Sequence, residues 1–403
     1  MKIRRLANEE RPSTSWRLQE YAFERSPMPP EQAAKLREYL PYHEGNVTLV
    51  VQDGAETLAA VSMIPMRQNV RGTVHTMAGV SGVVSHPLAR RQGHIRTLLT
   101  QLLGELRDEG YAVSALYPFR PSFYGRFGYA ALPHPRTVSF SPADLGGWLR
   151  ADLPGELRWQ RIRDGYDTHR GFTERLLASR HGFSLLPDYR DVQRREDDKR
   201  WIVSARHDGE VVGAVTYTID GHGGTLHADD LLTVSPLGRA LLLQFFARHV
   251  DQVARISTVV APDETPELWS TDLATHTESR LSFPSSVAPM ARLLSLDALH
   301  GLSTAPGRVR VDIVDDPFVA GSYLLDGADG RLEVTRGSGS GSAATSASPP
   351  TATLTAAGIS ALAYGVLDPD ELPLRGFGTV PREAAAELRA LFPRAVPYLF
   401  SDF

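Results

Sequence analysis

Residues Val83 to Leu98, Val-Val-Ser-His-Pro-Leu-Ala-Arg-Arg-Gln-Gly-His-Ile-Arg-Thr-Leu, run from an apolar strand through an arginine- and glycine-bearing turn into an apolar-periodic helix. A strand that feeds a helix through small residues aims unpaired backbone N–H groups and the positive helix end at one point, where a phosphate or pyrophosphate is favoured. Arg90 and Arg91 add charge at that point. Gly93 has no Cβ, so the main chain can approach a ligand that a side chain would hold off. Taken alone, the segment reads equally as a surface turn with solvated arginines, and only its context separates the two readings.

That context is a succession of strands and helices. Arg17 to Tyr39 reads as helical, broken by Pro27, Pro29 and Pro30, and Thr48 to Gln52 as a short apolar strand. Asp53-Gly54 is a hairpin signal. Strands follow at Leu58 to Pro65 and Thr73 to Ser85, then the turn. Ile95, Leu98, Leu99, Leu102 and Leu106 recur at three- and four-residue steps, the core face of one helix. Tyr111 to Leu116 is the next strand, followed by Pro118 to Tyr129, a short helical turn closing on glycine. Further on, Glu210 to Ile219 follows Asp208-Gly209 as Leu58 follows Asp53-Gly54. Asp230 to Arg239 leads into the apolar helix Ala240 to His249, an echo of the first unit without its Arg-Arg-Gln-Gly stretch. The echo suggests a degenerate repeat in which only the first copy holds the anion. A third region starts near Met290, with strands at Arg308 to Asp315, Tyr323 to Asp326 and Arg331 to Thr335, and helices at Leu354 to Leu362 and Glu383 to Leu391. Between them, Gly337 to Pro350 is a low-complexity stretch that reads as a flexible loop.

Composition narrows the function. A chain of 403 residues suggests two or three domains. It contains no cysteine, which excludes disulfides, thiolate metal sites and a cysteine nucleophile. The 13 histidines are scattered, and His86 and His94 beside the turn read as structural or phosphate-adjacent rather than metal ligands, so no metal is expected. A net charge of −4 argues against a nucleic-acid binder, and Arg194 to Arg200 mixes both signs as a solvated segment does. The N-terminus lacks a signal-peptide core and no stretch approaches the roughly 20 apolar residues of a membrane span, so a cytoplasmic protein is the expectation. His-Glu-x-x-His, P-loop and Gly-x-Ser-x-Gly patterns do not occur.

Strand, Arg-Arg-x-Gly turn, helix, strand and then Phe123-Tyr124-Gly125-Arg126-Phe127-Gly128-Tyr129 resembles the acyl-CoA-binding half of the GNAT N-acetyltransferases. Ile95 departs from that family's usual small residue at the end of the turn. With the three-part layout and the terminus Ser401-Asp402-Phe403, the chain is similar throughout to the Eis (enhanced intracellular survival) acetyltransferases. The resemblance implies an α/β fold: tandem GNAT-like domains over 1–145 and 146–287, each a mixed sheet flanked by helices, and a sterol-carrier-protein-like α/β domain over 288–403. It implies acetyl-CoA as co-substrate, gripped by the first domain, with Val83, Val84, Ser85, Arg90, Arg91, Gln92, Gly93, His94 and Ile95 as candidate contacts. It also implies aminoglycosides or other polyamines as acceptors and a homo-hexamer.

Amine acetylation needs a neutral amine, stabilisation of an oxyanion and a proton for the leaving thiolate. Tyr124 matches the family's general-acid tyrosine, and a hydroxyl with a pKa of about 10 is protonated at neutral pH. Its bland reading is packing among Phe119, Phe123, Phe127 and Tyr129. Backbone N–H groups near Val83 are candidate oxyanion donors. By resemblance the C-terminal carboxylate, here on Phe403, is the base. An α-carboxyl with a pKa of roughly 3.5 needs desolvation to act so. Glu24 and Asp402 are the candidate acidic contacts for a cationic acceptor, against the reading that both are solvated. Without cysteine, transfer is expected to be direct, through a ternary complex. Two alternatives stand beside this reading: a lipid- or partner-binding protein with a vestigial GNAT half, and a protein-lysine acetyltransferase.

Overall fold

The computed structural model describes residues 1–284, 286–337 and 348–403, so most of the expected loop in Gly337 to Pro350 lies outside the described residues. The chain forms two compact units, one of Met1–Leu132, His181–Arg190 and Val287–Phe403, the other of Pro133–Arg180 and Asp191–Ser286.

The first unit opens with six strands, β1 (Lys2–Arg5), β2 (Val47–Asp53), β3 (Glu56–Val70), β4 (Thr73–Ser85), β5 (Val113–Leu116) and β6 (Ala130–Ala131), and two long helices, α1 (Ser15–Phe23) and α2 (His94–Asp108). Sheet order is β1-β2-β3-β4-β5, then the strand Met290–Leu293, then β6. Hairpins make the β2–β3 and β3–β4 pairs antiparallel, and β1 pairs antiparallel with β2 across a long helical connection, whereas β4 and β5 are parallel because α2 carries the chain back across the sheet. The expected leucine face of α2 is the one that packs: Leu98, Leu99, Leu102, Leu103 and Leu106 are buried with Leu49, Val61 and Met63.

The second unit repeats the plan. Its strands are β7 (Arg136–Phe140), β8 (Glu156–Arg161), β9 (Trp201–His207), β10 (Glu210–Ile219), β11 (Thr225–Asp230), β12 (Arg255–Val260) and β13 (His276–Glu278), with helices α3 (Ile162–Ser179) and α4 (Pro236–Ala247). The parallel pair is β11 with β12, joined by α4. Phe246, Leu242, Val203, Val215 and Ile256 form its core. Residues 136–140, read above within the first domain, zip against Ile256–Val260 and so belong to this second sheet. Period-two patterning marks a strand but not the distant partner that claims it.

Residues 308–379 build a third sheet of β14 (Arg308–Ile313), β15 (Gly321–Asp326), β16 (Glu333–Arg336), β17 (Thr351–Leu354) and β18 (Gly378–Thr379), ordered β16-β15-β14-β17-β18, beside α5 (Ala356–Ala363) and α6 (Arg382–Leu391). It shares one core with the first sheet, where Val70, Met77 and Ala291 join Val309, Leu354 and Leu362. Every residue of α5 is buried. Its Ala-Ala-Gly-Ile-Ser-Ala-Leu-Ala sequence lets strands approach closely, and Ser360 Oγ satisfies itself by donating to the Ala356 carbonyl at 2.7 Å while accepting from Leu293 N at 3.1 Å. The mixed α/β architecture with tandem GNAT-type sheets is the one the sequence leads to. Among the described residues no helix is long and apolar enough to cross a membrane.

Candidate active site

Two features of β4 open the site. Parallel pairing with β5 ends at Val80 and Leu116, yet β4 continues to Ser85, so the strands part there. At the same place Val61 of β3 faces two residues, Gly82 and Val83, because the register slips between Ala60–Val84 and Ser62–Ser81. Gly82 sits at φ +56°, the left-handed conformation of a glycine bulge. A bulge takes main-chain amides out of the ladder, and Val80, Ser81, Gly82 and Val83 line a cavity of about 520 Å³.

Tyr124 lines the same cavity from the short helix Pro121–Gly125. It is 2% exposed and stands edge-on to Phe119, Phe123 and Tyr129, so packing residue and cavity residue are one and the same. Burial, and secondarily the neighbouring Tyr129, push its hydroxyl above the ordinary tyrosine value, which keeps it protonated. Phe403 completes this wall. Its ring meets Tyr117 edge-on at 5.4 Å, and its ring carbons would lie 3.1 Å from a Cβ placed on Gly79 of β4.

The terminal segment is held by residues 181–184. Tyr398 N donates to the His181 carbonyl at 3.0 Å, Ser401 Oγ to the Ser184 carbonyl at 3.1 Å, and Phe400 stacks on Phe183 at 4.6 Å. Arg71, in the left-handed conformation (φ +50°) at the β3–β4 turn, donates to the carbonyls of Leu362, Ala363 and Pro393. It thereby caps the C-terminus of α5 and ties the segment before the tail to the sheet. Its main-chain N–H also donates to His181 Nδ1, whose Nε2–H reaches the Tyr364 carbonyl, each at 3.0 Å. Both ring nitrogens are thus used by a neutral imidazole, and burial lowers the His181 pKa to about 4.

The anion turn lies at the start of α2. Gly93 is its N-cap at φ +86°, without a side-chain cap, and Arg91 is also left-handed at φ +64°. Arg90, Arg91, Gln92 and Gly93 are exposed, and a Cβ on Gly93 would meet no protein atom within 4 Å. Uncapped first-turn amides beside two exposed arginines fit a pyrophosphate. Two of the nearby candidates point elsewhere. His94 is 9% exposed and bonds Gln92 Oε1 at 3.2 Å, and Val84 packs in a cluster with Leu6, Leu18 and Val50. Ser85 is half-buried at the end of β4, and Ile95, at the position expected to be small, packs against the leucine face of α2.

The corresponding start of α4 in the second unit is closed. Ser235 Oγ accepts from Gly238 N at 3.1 Å, and a Cβ on Gly238 would lie 2.1 Å from the Val212 carbonyl oxygen. Cap and packing occupy the space that a phosphate would need.

Of the acidic candidates, Glu24 lines the cavity although exposed, whereas Asp402 is exposed and turned away from it. Sequence reasoning missed Arg11, His43, Asn46 and Arg190, which line the wall beyond Gly82. Glu-Glu-Arg-Pro and Pro-Tyr-His carry no local signal of burial, and only long-range packing buries Arg11 and His43.

Known proteins share this fold. A family model described as an acetyltransferase (GNAT) domain matches residues 2–132, and a second model of the same description matches 184–293. An uncharacterized N-acetyltransferase from Streptomyces coelicolor is 27% identical over 332 residues, 76% of this chain and 78% of that one. N-acetyltransferase Eis from Mycobacterium tuberculosis is 36% identical over 133 residues, 31% of each chain. Among solved structures, a GCN5-related N-acetyltransferase from Kribbella flavida superimposes with a TM-score of 0.78 at 23% identity, covering 100% of this chain and 98% of that one. Eis1 from Mycobacterium abscessus superimposes with a TM-score of 0.77 at 19% identity over the whole of both chains. The fold and the paired domain matches define an acyltransferase built on tandem GNAT domains. Within that class the similarity is to the Eis-type N-acetyltransferases.

Proposed function

We propose that this enzyme transfers an acetyl group from acetyl-CoA directly to an amine, with Tyr124 as general acid and the α-carboxylate of Phe403 as base. One observation carries the reading: the Gly82–Val83 bulge, Tyr124 and Phe403 line a single cavity where β4 and β5 part. Arg90, Arg91 and the first-turn amides of α2 would hold the pyrophosphate, and acetyl-CoA when bound supplies the thioester acyl group. Main-chain N–H groups at Gly82 and Val83 face the position where carbonyl oxygen gains charge. The α-carboxylate of Phe403, whose ring packs on Tyr117 and Gly79, takes a proton from the acceptor's ammonium, directly or through water, and the neutral amine so formed attacks the thioester carbonyl. Tyr124 returns a proton to the departing sulfur. Burial that strengthens the tyrosine O–H also raises the proton affinity of a thiolate beside it, so the two stay matched as charge develops. The resemblance supports aminoglycosides or other polyamines as acceptors, with Glu24 as the acidic contact.

Thiol release from acetyl-CoA across a panel of aminoglycosides, polyamines and lysine peptides tests the reading. Silence throughout, with no CoA binding by calorimetry, removes it. Tyr124→Phe should lower kcat about 100-fold or more with CoA affinity retained. Addition of a few residues after Phe403 should abolish turnover, and an extended protein of full activity removes the carboxylate from the mechanism.

A further inference from the structure

The wall of the cavity beyond Gly82 is cationic. Arg11 is 2% exposed, yet donates only to neutral oxygens: Nη1 to Thr48 Oγ1 at 2.5 Å and Nη2 to the Asn46 carbonyl. Its Nε is buried without a partner, and no carboxylate pairs with it among the described residues. Burial lowers its pKa, but an arginine stays charged in any case. Arg190 lines the same wall, its Nη1 3.3 Å from His43 Nε2. Burial, with Arg190 and Arg11 adding to it, lowers the His43 pKa to about 4, so that ring brings no charge of its own at neutral pH.

The hydroxyls add direction. Arginine only donates, so Thr48 Oγ1 accepts from Arg11, and either hydroxyl of the Thr48–Ser62 pair at 2.7 Å can be the donor; where it is Thr48, the Ser62 hydrogen is left over. The Ser62 hydrogen is then free for the cavity that Ser62 lines. Guanidinium groups and an outward hydroxyl make a wall of donors. The acidic side chain lining this cavity is Glu24, which is exposed and so weakly felt, and the other anion there is the Phe403 carboxylate that the reading above uses as base. A polycation would enter against this charge, whereas an anionic oxygen would supply the counter-ion that Arg11 lacks.

We propose that the preferred acceptor is an amine that also carries an anionic oxygen group, a carboxylate or a phosphate, which faces Arg11, Arg190 and Ser62 while its amine faces Tyr124 and Phe403. This rests on the acetyl-transfer reading above and narrows its acceptor. It places amino-acid-like or phosphorylated amines ahead of aminoglycosides and polyamines.

Matched pairs test it: lysine against cadaverine, and O-phosphoethanolamine against ethanolamine, with one aminoglycoside for comparison. Thiol release should show kcat/KM at least ten-fold higher for the anionic member of one pair, mainly through KM, and the pair that responds tells carboxylate from phosphate. Arg190→Gln should reduce that ratio to below about two-fold, and Arg11→Gln should do the same where it folds. Calorimetry of the same amines with the CoA-loaded enzyme reads the preference without turnover. Anion-selective binding with no thiol release supports this inference and sinks the transfer reading. Brisk turnover with no preference within either pair, a preference for the polycation, a ratio untouched by Arg190→Gln, or no binding of any amine overturns the inference.

Discussion

The two long helices that follow a central strand, α2 in the first unit and α4 in the second, begin in opposite ways. Before α2 the chain leaves Gly93 left-handed, uncapped and open to solvent, with Arg90 and Arg91 beside it. Before α4 Ser235 caps the helix and Gly238 is pressed on the Val212 carbonyl. A helix start has N–H groups that something must satisfy. The second unit satisfies one of them from within, whereas the first leaves its helix start uncapped and open. On the proposed reading, the same supersecondary element serves binding in one unit and packing in the other.

Equivalent insults should therefore fail differently. Gly93→Asp places a carboxylate where the anion belongs, and Asp tolerates the left-handed conformation better than most residues. We expect CoA affinity by calorimetry to fall 100-fold or more with the melting temperature almost unchanged. Gly238→Ala drives a methyl into main-chain atoms and should cost about 2–3 kcal/mol, seen as a drop of several degrees in the second unit's transition, with CoA affinity kept. An unfolded Gly93→Asp, or a Gly238→Ala protein that loses CoA while staying folded, would break the contrast.

The tie between sheet and tail gives an intermediate effect with a definite sign. His181 and, in the second unit, His169 are both buried and neutral, with pKa values lowered by desolvation to about 4 and about 3. The unfolded chain takes up protons near pH 6.5 that these native rings refuse, so their contribution is whole above that pH and is lost as pH falls toward those values. His181 holds Arg71 and the segment before the tail. Proteolysis of the C-terminus should accelerate between about pH 6 and 4. A His181→Asn variant should flatten that dependence, and one that keeps it would show another group responsible.

Much of this was legible locally. The α2 leucine face, the β2–β3 hairpin at Gly54 and the strand Glu210–Ile219 announce themselves by period and turn chemistry. Gly93 and Tyr124 stand in motifs with a physical rationale; Gly93 is the uncapped start of α2 and Tyr124 lines the cavity. What stayed hidden is whatever depends on distant segments. Met290–Leu293 looks like the start of a new region but inserts between β5 and β6. Arg11 and His43 sit in short polar-looking 3-10 helices, and only tertiary packing desolvates them. Asp402, chosen for its nearness in sequence to the terminus, faces solvent, because alternate residues of an extended tail point opposite ways and Phe403 takes the inward place.

The smallest effect is the most discriminating for the contrast between helix starts. Ser235→Ala removes the side-chain oxygen that accepts from Gly238 N, and loss of such a cap costs about 1 kcal/mol. If the second unit lacks a CoA site only because Ser235 fills the amides, uncapping should create weak anion binding there, visible as a second event in phosphate or CoA titrations. If instead the packing of Gly238 on the Val212 carbonyl closes the approach, as the 2.1 Å clearance at its Cβ position indicates, uncapping lowers stability and stoichiometry stays at one CoA per chain. We expect the second result: among the described residues the unit has no arginine pair beside the start of α4 and no room for a phosphate over its first turn, so a vacant amide alone draws in water rather than an anion.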